Sequence, residues 1–257
     1  MLKSPHLKTS DIDNFQECGF LALRNAFSPA EAKAIQDWTS ELAARPEVPG
    51  AHWVYHEESH LDAGVQLINR IENMTPYHPG LAELATALMP GVGQLLGEDA
   101  VLFKDKINFK MPGGDGFKPH QDSQAGWDDY ADYFISVLVS IDHMTEENGG
   151  LQICAGHHKR GLFKSWEPLT EEDMADMEFR PFPTTPGDIV FFDCYTPHAS
   201  EPNMTDETRR IYYATYNLLS AGEHMAQYYA DKHKNYPPDI GRDPSKEYVF
   251  RIGQPLG

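Results

Sequence analysis

Apolar positions recur along this chain with two different periods. Near the start, Ser28-Pro29-Ala30-Glu31 predicts a helix N-terminus, with serine as cap, proline at the first helical position and glutamate closing a capping box. The helix should run to about Ala44, with Ala34, Ile35, Trp38 and Leu42 on one face, and Pro46, Pro49 and Gly50 end it. A short strand is expected at Gly19–Leu23 and a second helix at Gly80–Leu88. From residue 101 the period shortens. Val101–Met111 reads as a strand, with Phe103, Ile107 and Phe109 as its apolar positions, and Met111-Pro112-Gly113-Gly114-Asp115-Gly116 turns it. Further strands follow at Tyr133–Ile141, Leu151–Cys154, Ile189–Phe192 and Ile211–Leu218, divided by Asn148-Gly149-Gly150 and Gly187-Asp188. Residues 51–66 read as a polar-aromatic loop or irregular strand of the kind that covers a site. The tail offers a weak helix from Ala221 to Ala230, then turns at Tyr236-Pro237-Pro238. Short, punctuated strands predict a mainly β chain, a sandwich or jelly roll, with the early helices packed outside. With no internal repeat or low-complexity linker, residues 1–257 read as one domain, its core at about 100–218.

Composition narrows the partners. With 21 Lys and Arg against 39 Asp and Glu, the formal charge is −18, which argues against nucleic acid or an anionic membrane. A small anion remains compatible, because a few basic side chains can reverse the potential inside a pocket. Apolar residues make up 40 % of the chain, enough for a substantial core. Cys18, Cys154 and Cys194 are too few for a disulfide framework and suit a reducing compartment. The polar opening lacks a leader pattern and no run approaches 18 apolar residues, so a cytoplasmic protein is expected.

Lys118-Pro119-His120-Gln121-Asp122-Ser123 carries the chemistry. If this segment is a strand, residues two apart share a side, and His120 and Asp122 aim an imidazole and a carboxylate at one point. Pro197-His198-Ala199-Ser200, just past the apolar strand at 189–192, is the best source of a third ligand. Two imidazoles and a carboxylate leave open positions on Fe(II) for a chelating cosubstrate and dioxygen. Zinc on the same ligands would instead predict hydrolysis. Arg209 follows His198 by eleven positions, across a turn-like segment. Facing inward, its guanidinium can pair with the distal carboxylate of a 2-oxoacid. Arg210 should face the other way.

These residues, taken together, resemble the phytanoyl-CoA dioxygenase family of Fe(II)/2-oxoglutarate oxygenases. His120-Gln121-Asp122 matches its His-x-Asp, and His198 and Arg209 match its distal histidine and 2-oxoglutarate arginine. Asn148-Gly149-Gly150-Leu151, Pro186-Gly187-Asp188 and Val190-Phe191-Phe192 resemble further family phrases. Ala155-Gly156-His157-His158 departs from the usual Pro-Gly-Ser-His, which leaves the role of His157 open. The resemblance implies a double-stranded β-helix (a cupin-like jelly roll) using Fe(II) and 2-oxoglutarate to hydroxylate an unactivated C–H bond. It also implies a cosubstrate contact for Ser200, and Asn108 is expected to face cosubstrate or substrate.

Within the family, length and texture resemble bacterial oxygenases that hydroxylate 2-aminoethylphosphonate next to phosphorus. Dioxygen and a small molecule, an aminophosphonate first, are then the reaction partners. Other small zwitterions, metabolite acids and acyl thioesters are the alternatives within this chemistry, and a non-catalytic cupin-like binding protein is the alternative outside it. For a substrate pocket the candidates are Lys106, Lys118, Tyr133, Trp127 and Tyr55, with Lys110, Arg70 and Arg160 as further basic groups suited to a phosphonate.

Overall fold

The computed structural model describes residues 2–248. Four α-helices, α1 (Thr9–Cys18), α2 (Pro29–Ala43), α3 (Pro79–Leu96) and α4 (Met225–Asn235), accompany eleven strands. The strands are β1 (Phe20–Leu23), β2 (Trp53–Glu58), β3 (Gln66–Glu72), β4 (Ala100–Lys110), β5 (Phe117–His120), β6 (Phe134–Ser140), β7 (Leu151–Ile153), β8 (Arg180–Pro181), β9 (Ile189–Asp193), β10 (His198–Ser200) and β11 (Arg209–Leu218). They form a seven-stranded sheet in the order β1-β9-β6-β11-β4-β3-β2 and a four-stranded sheet in the order β5-β10-β7-β8. Every pairing is antiparallel, giving the two-sheet jelly roll expected from the strand pattern.

Side chains alternate across the large sheet. Its outer face carries Ile107 and Phe109 of β4, Val137 and Val139 of β6, Phe191 of β9, and Tyr212, Ala214 and Tyr216 of β11. Ile35 and Leu42 of α2 and Leu81, Leu84, Leu88 and Val92 of α3 complete that layer. At roughly 25 cal/mol per Å² of apolar surface, this burial is the principal stabilising contribution of the fold. A second apolar layer between the sheets includes Leu138, Leu151, Ile153, Val190, Phe192 and Ile211.

The predicted cap of α2 is present: Ser28 Oγ accepts from the Glu31 amide at 3.3 Å, and the Ser28 amide donates to Glu31 Oε2 at 2.8 Å. The buried face of that helix is Ala32, Ile35, Thr39 and Leu42; Ala34 and Trp38 are only half-buried. Helix α3 is twice the expected length and runs through Pro90. Residues 51–66 hold strand β2, and β3 follows it where no strand was expected. The weak tail helix begins at Met225, four residues later than its pattern suggested.

Candidate metal centre

Three side chains meet where the two sheets open. Strand β5 ends at His120, and β10 sets His198 opposite it, so the two are register partners with ring centroids 4.3 Å apart. Asp122 does not lie on a strand, which corrects the alternation argument. The chain leaves β5 at Gln121, and Asp122 opens a short 3-10 turn that swings its carboxylate back to the histidines. Gln121 anchors this reversal. Its amide group donates to the Gly161 and Tyr195 carbonyls at 2.8 and 2.7 Å and accepts from the Phe163 amide at 2.9 Å. One ligand atom from each of His120, Asp122 and His198 lies within 4.8 Å of the others.

Outer contacts orient each ligand. His120 Nδ1 donates to the Lys118 carbonyl at 2.7 Å and His198 Nδ1 to the Thr196 carbonyl at 3.0 Å. Both rings therefore turn an unprotonated Nε2 to the common point. Ser136 donates to Asp122 Oδ2 at 2.6 Å, while Oδ1 stands 3.9 Å from His198 Nε2. Burial and the adjacent His198 push the His120 imidazole down to about 3. Burial opposes ionisation of Asp122, yet His198, Lys106 and His120 outweigh it and hold the carboxyl below its ordinary range. A neutral imidazole and an ionised carboxylate are the states that bind a divalent metal.

Beside the triad a cleft is lined by Lys106, Asn108, Phe117, Leu151, Ser200, Arg209 and Tyr213. Arg209 is 3 % exposed and has no carboxylate within 4.0 Å among the described residues. It donates to the Gly149 carbonyl at 2.8 Å, and its Nε has no protein acceptor. Gly149 has φ of 69°, and a side chain there would collide with the Glu201 carbonyl, so this arginine-binding turn requires glycine. Ser200 Oγ accepts from Lys110 Nζ at 2.8 Å and from the Phe117 amide at 3.3 Å, which leaves its own hydrogen to donate. Asn108 Oδ1 is buried without a partner. Arg210 does face away, paired with Asp142 at 2.7 Å.

Not all pocket candidates assemble here. The Lys118 side chain is exposed, and only its carbonyl serves the site. Tyr133 donates to Asp193 at 2.6 Å, away from the cleft. Trp127 is buried in an aromatic cluster against Phe103 and Phe134. Tyr55 stacks on Tyr236 and under Arg70. Conversely, Phe117, Leu151 and Tyr213 line the cleft without having been anticipated. Tyr213 was readable, because strand alternation from Arg209 carries Ile211, Tyr213 and Thr215 to one face.

A jelly roll with two histidines, a carboxylate and, across the adjoining cleft, an arginine without a carboxylate partner among the described residues presents the donor set of a mononuclear metal site. The phytanoyl-CoA dioxygenase family profile matches residues 15–211, and the chain belongs to that family. A 2-aminoethylphosphonate dioxygenase from an uncultured bacterium is 39 % identical over 252 residues, covering 94 % of this chain and 95 % of its own. A methylphosphonate hydroxylase from Gimesia maris is 35 % identical over 251 residues, with 96 % and 95 % covered. Among solved structures, EctD from S. alaskensis with 2-oxoglutarate and 5-hydroxyectoine superposes with a TM-score of 0.72 at 21 % identity, covering 96 % of this chain and 87 % of that one.

Proposed function

We propose that the chain is an Fe(II)- and 2-oxoglutarate-dependent oxygenase that hydroxylates the carbon attached to phosphorus in a small phosphonate, with 2-aminoethylphosphonate the first substrate. The observation that carries this reading is the convergence of His120, Asp122 and His198 beside the buried, carboxylate-free guanidinium of Arg209. Similarity to two phosphonate oxygenases over nearly the full chain supports the substrate class. The three free cysteines suit a reducing, cytoplasmic setting.

The donor set fits the cofactors. His120 and His198 would supply Nε2 and Asp122 one carboxylate oxygen, the set that suits Fe(II). Arg209 and the Ser200 hydroxyl would hold the far carboxylate of 2-oxoglutarate by charge-assisted hydrogen bonds. When bound, iron and 2-oxoglutarate supply the oxidising power that inserts one oxygen atom of O₂ into a C–H bond and puts the other into succinate, with release of CO₂. The chain's own work is positional. Ser136 holds Asp122 Oδ2 so that the other oxygen faces the histidines, the Lys118 and Thr196 carbonyls fix both rings, and Phe117, Leu151 and Tyr213 wall the cleft from water.

Anaerobic loading with Fe(II), 2-oxoglutarate and a panel of phosphonates, other zwitterions, metabolite acids and acyl thioesters, then exposure to oxygen and mass spectrometry, tests this. The expected result is a phosphonate product one oxygen atom heavier, formed in step with succinate. Turnover of another panel member alone would sink the substrate assignment. A folded protein that binds neither iron nor 2-oxoglutarate would point to the non-catalytic binding protein. His120→Ala and Asp122→Ala should abolish coupled turnover. Arg209→Ala should weaken 2-oxoglutarate binding roughly 10- to 100-fold, the loss of a charge-assisted pair.

A further inference from the structure

Strand β4 carries two buried lysines, beside the iron site, to which the proposed binding of iron and 2-oxoglutarate assigns no ligand. Lys104 and Lys106 lie two residues apart on β4, Lys106 over Phe117 of the small sheet and Lys104 against Trp127 and against Tyr228 of α4. Lys104 is 7 % exposed; its Nζ lies 4.6 Å from the ring centre of Trp127 and 3.5 Å from the Tyr228 hydroxyl. Lys106 lines the metal cleft beside Asp122, its Nζ 5.1 Å from the ring centre of Tyr213. Neither has a carboxylate within 4.0 Å among the described residues.

The surroundings sharpen this. Glu72 of β3 is the register partner of Lys106 and could have neutralised it. Its carboxylate instead takes Arg70 Nε at 2.8 Å and Lys232 Nζ of α4. Among the described residues Glu72 is the carboxylate that Arg70 and Lys232 contact, and the other acid near Lys104 and Lys106, Asp122, faces the metal centre. Burial and the charges of Lys106 and Lys232 push the Lys104 ammonium well below its ordinary range, as expected of a cation lacking its counter-ion. Burial disfavours the charged form of these lysines, and an anion arriving from outside would restore it.

We propose that Lys104 and Lys106 form the subsite for the substrate's phosphonate group. This rests on the phosphonate-oxygenase reading above and adds to it the residues that read the anion. Two-residue spacing on a strand separates the α-carbons by roughly 7 Å, a span that lets both ammonium groups reach different oxygens of one tetrahedral anion. Lys106 belongs to the metal cleft, whereas Lys104 lies one step deeper against Trp127. A phosphonate held by both would sit beside the metal cleft with its α-carbon one bond from the anchored group, which suits attack next to phosphorus. The subsite makes no demand on an amino group, so methylphosphonate and 2-aminoethylphosphonate should both depend on it.

The test uses the protein loaded anaerobically with Fe(II) and 2-oxoglutarate, titrated calorimetrically with 2-aminoethylphosphonate and, separately, methylphosphonate. Lys104→Gln and Lys106→Gln should each weaken both phosphonates at least tenfold; Lys104→Gln, outside the cleft lining, should leave 2-oxoglutarate affinity near wild type, and Lys106→Arg should recover part of the loss. Lys104→Met, which removes the charge but keeps an unbranched chain, should lose phosphonate affinity and raise the substrate-free Tm. A merely structural lysine would lower it. Wild-type phosphonate affinity in both glutamine variants, in an enzyme that hydroxylates phosphonates, would overturn the subsite and leave the functional reading standing. Failure of the wild-type enzyme to bind either phosphonate while turning over another compound would overturn both.

Discussion

Strand β4 sends Ile107 and Phe109 toward α2 and α3, and Lys106, Asn108 and Lys110 toward the small sheet and its cleft, with Lys104 against Trp127 and Tyr228, so two chemically opposite surfaces share one backbone. The same division continues on its neighbours. On β11, Tyr212, Ala214 and Tyr216 pack outward while Arg209, Tyr213 and Thr215 point in; on β3, Ile71 packs outward while Arg70 and Glu72 point in. The outer surface gains stability from each apolar side chain it hides. The inner one buries charges at a desolvation cost that the folded chain only partly offsets. The outer face contributes stability through apolar burial, whereas the inner face holds the functional groups within a charge balance that must itself be kept, and mutations should sort by which of the two they disturb.

The largest effect on folding is expected where the inner face balances itself. Glu72 is 2 % exposed and serves Arg70 and Lys232 together. Burial alone would raise its carboxyl, but Lys232, Arg70 and Lys104 hold it down to about 2. A carboxylate depressed in the folded state stabilises fully above its unfolded value, and that stabilisation is lost as pH falls through the folded value. Glu72→Gln should therefore cost about 3–5 kcal/mol near pH 7 by removing the buried carboxylate that Arg70 and Lys232 share. Urea denaturation across pH should show the gap to wild type closing as pH falls from about 4.5 toward 2. Equal stability near neutrality would mean that the inner charges are not balanced by this residue.

On the outer face, Leu88 of α3 is fully buried and touches no part of the metal centre. Leu88→Ala should cost about 2–5 kcal/mol through lost transfer energy and the cavity left behind. Thermal melting should fall by several degrees with 2-oxoglutarate affinity unchanged. A change in that affinity would show that the faces communicate through the sheet and break the division.

How much of this was legible follows the same line. The outer face and its helices were readable because apolar periodicity and capping chemistry are local: Ser28 to Glu31 announced α2, and Ile107 and Phe109 announced β4. Strand β3 escaped because Asn69, Arg70 and Glu72 look like a solvated loop, and only the fold reveals that their charges are paired indoors. Helix α3 passes Pro90 because tertiary contact overrides the local stop signal. Gly91 fits closely against Pro5 and Phe191, where a larger residue would crowd them. At the site, His120, Asp122 and His198 were readable from residue type and spacing. The turn that aims Asp122 was not, since it depends on the Gln121 side chain reaching Gly161 and Tyr195. Lys118, Tyr133, Trp127 and Tyr55 had suitable chemistry, but their direction is set by packing that spacing does not encode.

The smallest effect tests the division at its periphery. Ser28 bonds only within the α2 cap: its hydroxyl accepts from the Glu31 amide and donates to Glu31 Oε2, whose other oxygen accepts from the Lys3 amide at 2.9 Å. Ser28→Ala removes the acceptor for one helix-end amide and should cost about 1 kcal/mol. For a chain of this size that is roughly a 2–4 °C fall in Tm. Helix α2 meets the sheet through the outer apolar layer and through Ser40 and Gln36, which bond Arg210 and the Ile141 carbonyl far from the Ser28 cap, so iron and 2-oxoglutarate affinities should match wild type. If they weaken together with Tm, the sheet transmits disorder from the helix layer to the ligands, and the inner face owes its geometry to the outer one as well as to its own hydrogen bonds.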